Sequence, residues 1–254
     1  MSGRSAPMRL LLKILAPLWR FRRLGLATEV LYWDLLIRRR VIDGHASWLE
    51  DGVRPVARSL WPLIEQVSSD PVKILEVGAG PIATIGFSHP TRRLQITPTD
   101  VLAAKYDRIL GKRGITPFVR TIYADAERLT AQFGADAFDL VYAANCLDHM
   151  RDPLTAIREM VSVVRPGGHV VMEHLVDEGV QQDYSGLHQW NLRAEDGHFI
   201  LWNPSHRYDV SALLSPTCDV RVQLAEGDTR DSNLRVEVRK RPTAPEVPEN
   251  SAPG

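Results

Sequence analysis

The sequence predicts an α/β fold: a doubly wound, mostly parallel sheet preceded by N-terminal helices. Three observations carry this. From Pro71 onward, short apolar runs of strand length alternate with helical stretches, which implies right-handed βαβ units. Near the end, Asp219–Leu224 and Leu234–Val238 are separated only by the polar turn Glu226–Asn233, so one of this hairpin pair runs antiparallel to the rest. Finally, 254 residues with 44% hydrophobic and 24% charged side chains make an ordinary globular composition. That excludes global disorder, a fibrous repeat and a disulfide-stapled miniprotein.

The elements follow in order. Residues 1–69 read as an N-terminal helical extension, with helices expected over 27–42 and 53–68. Strands are expected at Val72–Val77, Leu94–Thr97, Phe118–Tyr123, Phe138–Ala143 and His169–Leu175, with helices at Val101–Leu110 and Pro153–Val164 between them. The main domain is expected over 70–241, with an insertion at 176–217; the tail 242–254 carries four prolines and is expected to be disordered.

Lys+Arg and Asp+Glu are balanced at 31 each, but the charge is unevenly placed. Residues 1–40 hold nine basic side chains and two acids, which leaves the rest of the chain acidic. An acidic main domain argues against nucleic acid as a partner. Residues 8–24 (MRLLLKILAPLWRFRRL) are broken by Lys13 and Arg20, too often for a membrane span. Two alternatives stay open: an amphipathic helix lying on an anionic membrane face, or a helix packed on the main domain with a solvated basic side. Cys146 and Cys218 are too few for a disulfide framework or a zinc cluster, so a reducing, cytoplasmic compartment is expected.

The chemistry-bearing residues stand at strand ends. The first strand leads into Glu76-Val77-Gly78-Ala79-Gly80-Pro81-Ile82, whose glycines let backbone approach a ligand closely. The run matches the dinucleotide pattern G-x-G-x-x-A through Ala83. Glu76 just before it would repel a pyrophosphate and favour a cationic ligand such as an ammonium group. Asp100, 20 residues after Gly80, is placed to accept both hydroxyls of a ribose, or to cap the helix that follows. Asp125 is placed to accept from an adenine amino group, or to cap the turn that starts at Ala126.

ILEVGAG, the strand-two aspartate, YADAERL, FDLVYAANCLDH and VVRPGGHVVMEH, in this order and spacing, resemble the class I S-adenosylmethionine-dependent methyltransferases, in the small-molecule branch with a type 11 domain. The resemblance covers about residues 70–175. It implies a seven-stranded sheet with an antiparallel last strand, and S-adenosyl-L-methionine as cofactor. It further implies that Glu76, Gly78, Ala79 and Gly80 hold the methionine moiety, Asp100 the ribose, and Asp125 with Ala126 the adenine, with Asn145 beside the reacting centre. The family's third glycine is Ile82 here, and Gly86 and Pro90 predict a short or displaced first helix.

The expected reaction is O-methylation of a small-molecule or glycan hydroxyl. His149, with Asp148 adjacent, is the first candidate base, and His188 the second; packing over the cofactor is the structural alternative. Gln189, Trp190, Asn191 and Trp202 combine aromatic faces with neutral amides, which suits a polyhydroxylated acceptor or, equally, the core of a small subdomain. No metal is expected: there is no H-x-x-x-H, and no cysteine pair. Two other classes remain, an NAD(P)-dependent oxidoreductase and an inactive methyltransferase fold serving as a binding module.

Overall fold

The computed structural model describes residues 22–42, 52–224 and 233–242. Most of the arm 8–24 and the tail from 243 lie outside the described residues, as do 225–232 of the terminal turn. No helix among the described residues is long and apolar enough to cross a membrane.

Helix α1 (Arg22–Ile42) comes first. The helix expected over 53–68 is instead a short 3-10 turn, Arg58–Leu60, and α2 (Trp61–Glu65). Proline explains the difference. Pro62 stands at the start of α2, where its missing N–H costs nothing, and Pro55 is drawn into a parallel bridge with Ser88.

The main sheet contains β1 (Val72–Val77), β2 (Leu94–Thr99), β3 (Phe138–Ala144), β4 (Val164–Leu175), β8 (Cys218–Leu224) and β9 (Asn233–Lys240). Their order is β2-β1-β3-β4-β9-β8, and β9, the last in sequence, is the strand that runs antiparallel to its neighbours. Between β4 and β8 lies a separate antiparallel sheet of β5 (Asn191–Glu195), β6 (His198–Asn203) and β7 (His206–Asp209).

The expected seven-stranded sheet therefore has six strands among the described residues. The strand expected at Phe118–Tyr123 makes one bridge, Thr99 to Ile122, in which Ile122 N donates to Pro98 O and Asp100 N donates to Ile122 O. The next rung would need an N–H from residue 98, and Pro98 has none. Phe118 and Tyr123 stay exposed at this edge.

Apart from exposed Lys73, strand β1 is buried on both faces, which accounts for its mainly apolar run. Leu75 and Val77 join Val141, Ala143 and Val170 under α4 (Pro153–Val163). Val72 and Ile74 join Leu140 and Val171 under the segment that carries α2. A third cluster ties α1 to α3 (Ala103–Gly111): Ile37 is buried against Tyr106, Ile109 and Ile82. Between β1 and β2 the chain runs through turns with no helix, in line with the short or displaced helix expected there. The carboxyl ends of β1, β3 and β4 open on one edge, where ligands bind in open α/β sheets.

Candidate active site

Gly78 and Gly80 have φ of +68° and +67°, so the turn after β1 is left-handed at both. A Cβ at Gly78 would stand 2.4 Å from Cys146 Cβ, and one at Gly80 3.0 Å from the ring of Trp33. The turn is thus pressed between the end of β3 and helix α1. Its backbone is held by hydrogen bonds: Ala79 N donates to Thr99 O at 3.0 Å, Thr121 Oγ1 to Gly80 O at 2.9 Å, and Gly80 N to Asp100 Oδ2 at 3.1 Å.

Two carboxylates flank the turn, Glu76 buried and Asp100 half-buried. Glu76 Oε1 accepts from Thr84 N, Thr84 Oγ1 and Ile85 N at 2.7, 2.6 and 3.1 Å, while Glu76 Oε2 is buried with no hydrogen-bond partner. Burial pushes its pKa up to about 7 despite those donors. Asp100 also takes Leu102 N at 2.8 Å on Oδ1, and burial raises it to about 6. Asp125 accepts from Glu127 N at 3.0 Å and caps the turn that begins at buried Ala126. Asn145, at φ +45°, is exposed, and its Oδ1 accepts from Leu175 N at 3.2 Å at the exit of β4.

Helix α1 contributes residues that sequence reasoning missed. The Trp33 ring lies on the glycine turn and meets Tyr106 edge-on, and Trp33 Nε1 donates to Glu29 at 2.8 Å. The signal was a tryptophan and an acid one helical turn apart, a spacing that puts both on one face. Thr84, Thr99 and Thr121 were missed too; threonine is common in strands and gives no local signal.

A second cluster is built on the 3-10 turn Leu147–His149 after β3. Asp148 is only 1% exposed, and its Oδ2 meets His188 Nδ1 at 2.6 Å. His149 Nε2 stands 3.2 Å from the same Nδ1 and 3.5 Å from Asp148 Oδ2. Burial opposes ionisation of Asp148, but His149 and the His188 hydrogen bond outweigh it and hold the carboxyl below its ordinary range. Burial likewise pulls His188 down, and its bond to Asp148 overrides this and raises it. Backbone joins the two elements: Gln189 N donates to Asp148 O at 3.0 Å. His149, Leu187, Gln189, Trp190 and His206 line a cleft of about 320 Å³. The Trp190 ring stacks near Tyr208, with centroids 6.3 Å apart.

Of the four expected acceptor contacts, Gln189 and Trp190 reach this cleft and the other two are engaged elsewhere. Asn191 is fully buried, taking Val180 N at 2.8 Å and donating to Tyr184 OH at 2.9 Å. Trp202 Nε1 donates to Asp177 at 3.0 Å, and the Arg193 guanidinium lies over its ring. His149, Asp148 and His188, 40 residues apart at their extremes, do come together.

A family model described as a methyltransferase domain matches residues 75–172, the stretch from the end of β1 through most of β4. The chain carries a class I S-adenosylmethionine-dependent methyltransferase domain. Malonyl-[acyl-carrier protein] O-methyltransferase of Halorhodospira halophila is 30% identical over 137 residues, 52% of this chain and 46% of that protein. Polyketide synthase 19 of Gibberella fujikuroi is 24% identical over 191 residues, 71% of this chain and 7% of that protein. The chain spans less than half the length of these curated relatives. In fold it is similar to the CMeT domain of the citrinin polyketide synthase, with a TM-score of 0.51 at 15% identity over 72% of this chain and 51% of that one.

The methyltransferase domain fits its cofactor, S-adenosyl-L-methionine, on structural grounds as well. The orphaned Glu76 Oε2 is a buried acceptor awaiting a donor, and an ammonium group is the donor a methionine moiety offers. Gly78 and Gly80 set the left-handed turn at the end of β1, and Asp100 stands at the end of β2, the position from which a carboxylate accepts from a ribose.

Proposed function

We propose that this methyltransferase domain methylates a hydroxyl oxygen of a small or glycan acceptor seated in the cleft lined by His149, Gln189 and Trp190. The observation that carries this reading is the Asp148–His149–His188 cluster, which stands two residues beyond the Cys146 that packs on the glycine turn. The cofactor supplies a methyl group on a sulfonium, already a good leaving group. The protein's work is to align acceptor oxygen, methyl carbon and sulfur, which is worth roughly 7–11 kcal/mol when reactants are well placed.

A hydroxyl nucleophile must also lose its proton, and nitrogen or thiol acceptors need this far less. The half-buried ring of His149 puts a proton-handling group at the cleft, with His188 and Asp148 in contact behind it. Trp190 with Tyr208 and His206 supplies a flat aromatic wall for the apolar face of a sugar or ring. The Halorhodospira relative is an O-methyltransferase by name, which supports oxygen as the atom methylated.

The test is transfer of labelled methyl from S-adenosylmethionine to a panel of hydroxyl, amine and thiol acceptors, guided by metabolites that lose one methylene in a deletion strain. Hydroxyl acceptors are expected to turn over. His149→Ala and His188→Ala are expected to lower kcat about 10²–10⁴-fold with cofactor-product binding intact. Turnover confined to amines or thiols, or unaffected by either substitution, contradicts the reading.

A further inference from the structure

Asp148 Oδ2, His149 Nε2 and His188 Nδ1 surround one point, at mutual separations of 2.6, 3.2 and 3.5 Å. Protons alone satisfy this triangle only when both imidazole nitrogens carry a proton toward Asp148 Oδ2, which leaves the two N–H groups 3.2 Å apart. An imidazole nitrogen offers either one proton or one in-plane lone pair. If His188 Nδ1 gives its proton to Asp148, it has nothing left for His149 Nε2. If it accepts a proton from His149, its close contact with the Asp148 carboxylate sets two lone pairs against each other.

A divalent cation would hold all three atoms once the 2.6 Å contact between Asp148 and His188 opened to ligand spacing. Tetrahedral bonds of about 2.0–2.1 Å place ligand atoms about 3.3 Å apart, close to two of the three separations. Asp148 is buried, and its second oxygen has no hydrogen-bond partner. Glu178 Oε1, 3.7 Å from His188 Nδ1, adds a second carboxylate beside the cluster.

We propose that Asp148, His149 and His188 bind one divalent first-row transition ion, with the fourth position open to the acceptor cleft. Two imidazoles and a carboxylate suit such ions, and three protein ligands with an open position are the arrangement of reactive rather than structural sites. The sequence concealed it because the third ligand lies 39 residues from the second.

The use of the ion rests on the methyl-transfer reading. An acceptor hydroxyl in the fourth position becomes more acidic and gives its proton to water. The oxygen then attacks the methyl carbon opposite sulfur. The new carbon–oxygen bond forms as the carbon–sulfur bond breaks, and that electron pair stays on sulfur, leaving neutral S-adenosylhomocysteine.

Calorimetric titration of ZnCl₂ into the untagged, chelator-treated full chain tests the site. The expected result is one equivalent of tight binding, weakened at least about a hundredfold in His149→Ala and in His188→Ala. His198→Ala, which alters a surface histidine paired with Asp209, is expected to bind as tightly as the parent. S-adenosylhomocysteine binding and thermal melts report whether each variant is folded. If a variant is not, Co²⁺ bound to the parent chain decides, through the intense visible bands of a tetrahedral site against the weak ones of a hydrated ion. Substoichiometric uptake, equal affinity in all three histidine variants, or a hydrated-ion spectrum overturns the proposal and leaves the three residues as a proton relay. Loss of S-adenosylhomocysteine binding by the parent chain would instead contradict the methyltransferase reading and leave zinc uptake to be judged separately.

Discussion

The glycine turn after β1 and the segment between β4 and β8 are held in different ways. Around the turn most of the holding bonds involve backbone atoms: Ala79 to Thr99, Thr121 to Gly80, Gly80 to Asp100. Between β4 and β8, backbone bonds such as Gln189 N to Asp148 O are joined by pairs that run from side chain to side chain: His188 to Asp148, Asn191 to Tyr184, Arg193 and Trp202 to Asp177. Backbone bonds need only that the chain pass through the right φ and ψ, so they are written in short motifs. Side-chain pairs between distant elements depend on the tertiary fold. Substitutions at the turn should therefore alter cofactor affinity, and substitutions in the insertion should alter turnover or local stability.

The sharpest way to break this contrast is Asp148→Asn. Removing the charge that anchors both imidazoles should lower kcat/KM about 10²–10⁴-fold, with S-adenosylhomocysteine affinity within about threefold of the parent. A parallel loss of affinity in calorimetry would merge the two regions into one.

On the other side, Gly78→Ala should weaken S-adenosylhomocysteine binding about thirtyfold. The left-handed backbone costs a side chain roughly 1–2 kcal/mol, and the added Cβ meets Cys146 at 2.4 Å. A variant that binds normally but fails to turn over would reverse the assignment.

Titration sharpens the contrast further. Burial raises Glu76 to about 7 and Asp100 to about 6, so both are partly neutral in the free domain at pH 6. An ammonium group is held better by the charged form. S-adenosylhomocysteine affinity should rise with pH and level off above about 7, by up to roughly tenfold per pH unit below that. Glu76→Gln should flatten the profile. Without ligand the sign is opposite: the folded domain binds more protons than the unfolded chain between 4.5 and about 7, so the stability from Glu76 is greatest below 4.5 and is lost as pH rises through about 7. Chemical denaturation at several pH values checks this second limb.

The smallest effect is expected at Asn191→Ala. Its two amide bonds lie inside the insertion, so about 1–3 kcal/mol of stability should be lost in thermal melts, with the affinity for S-adenosylhomocysteine unchanged.

The same division governs what could be read from the sequence. β1 and its glycine turn, the Asp100 strand end and the terminal hairpin were legible because apolar period, turn residues and strand ends are local. The strand over Phe118–Tyr123 was misjudged because its pairing depended on Pro98, a residue of its neighbour rather than its own. The helix over 53–68 shrank because Pro62 sets the start of α2. Trp33 gave a usable but unread signal, whereas nothing local announced that Leu187 would pack on Gly25, or that His188 would reach Asp148. The pairing of Trp202 with Asp177 and Arg193 is likewise visible only once the small sheet is assembled.

The central claim is that one cleft holds the cofactor while a separate cluster serves the acceptor. Calorimetry with S-adenosylhomocysteine on the parent chain, Asp100→Ala and His188→Ala tests it most directly. The account predicts one equivalent bound by the parent chain, binding about a hundredfold weaker in Asp100→Ala, and binding unchanged in His188→Ala. Parent binding weaker than millimolar, or an Asp100→Ala affinity equal to the parent's, would contradict it.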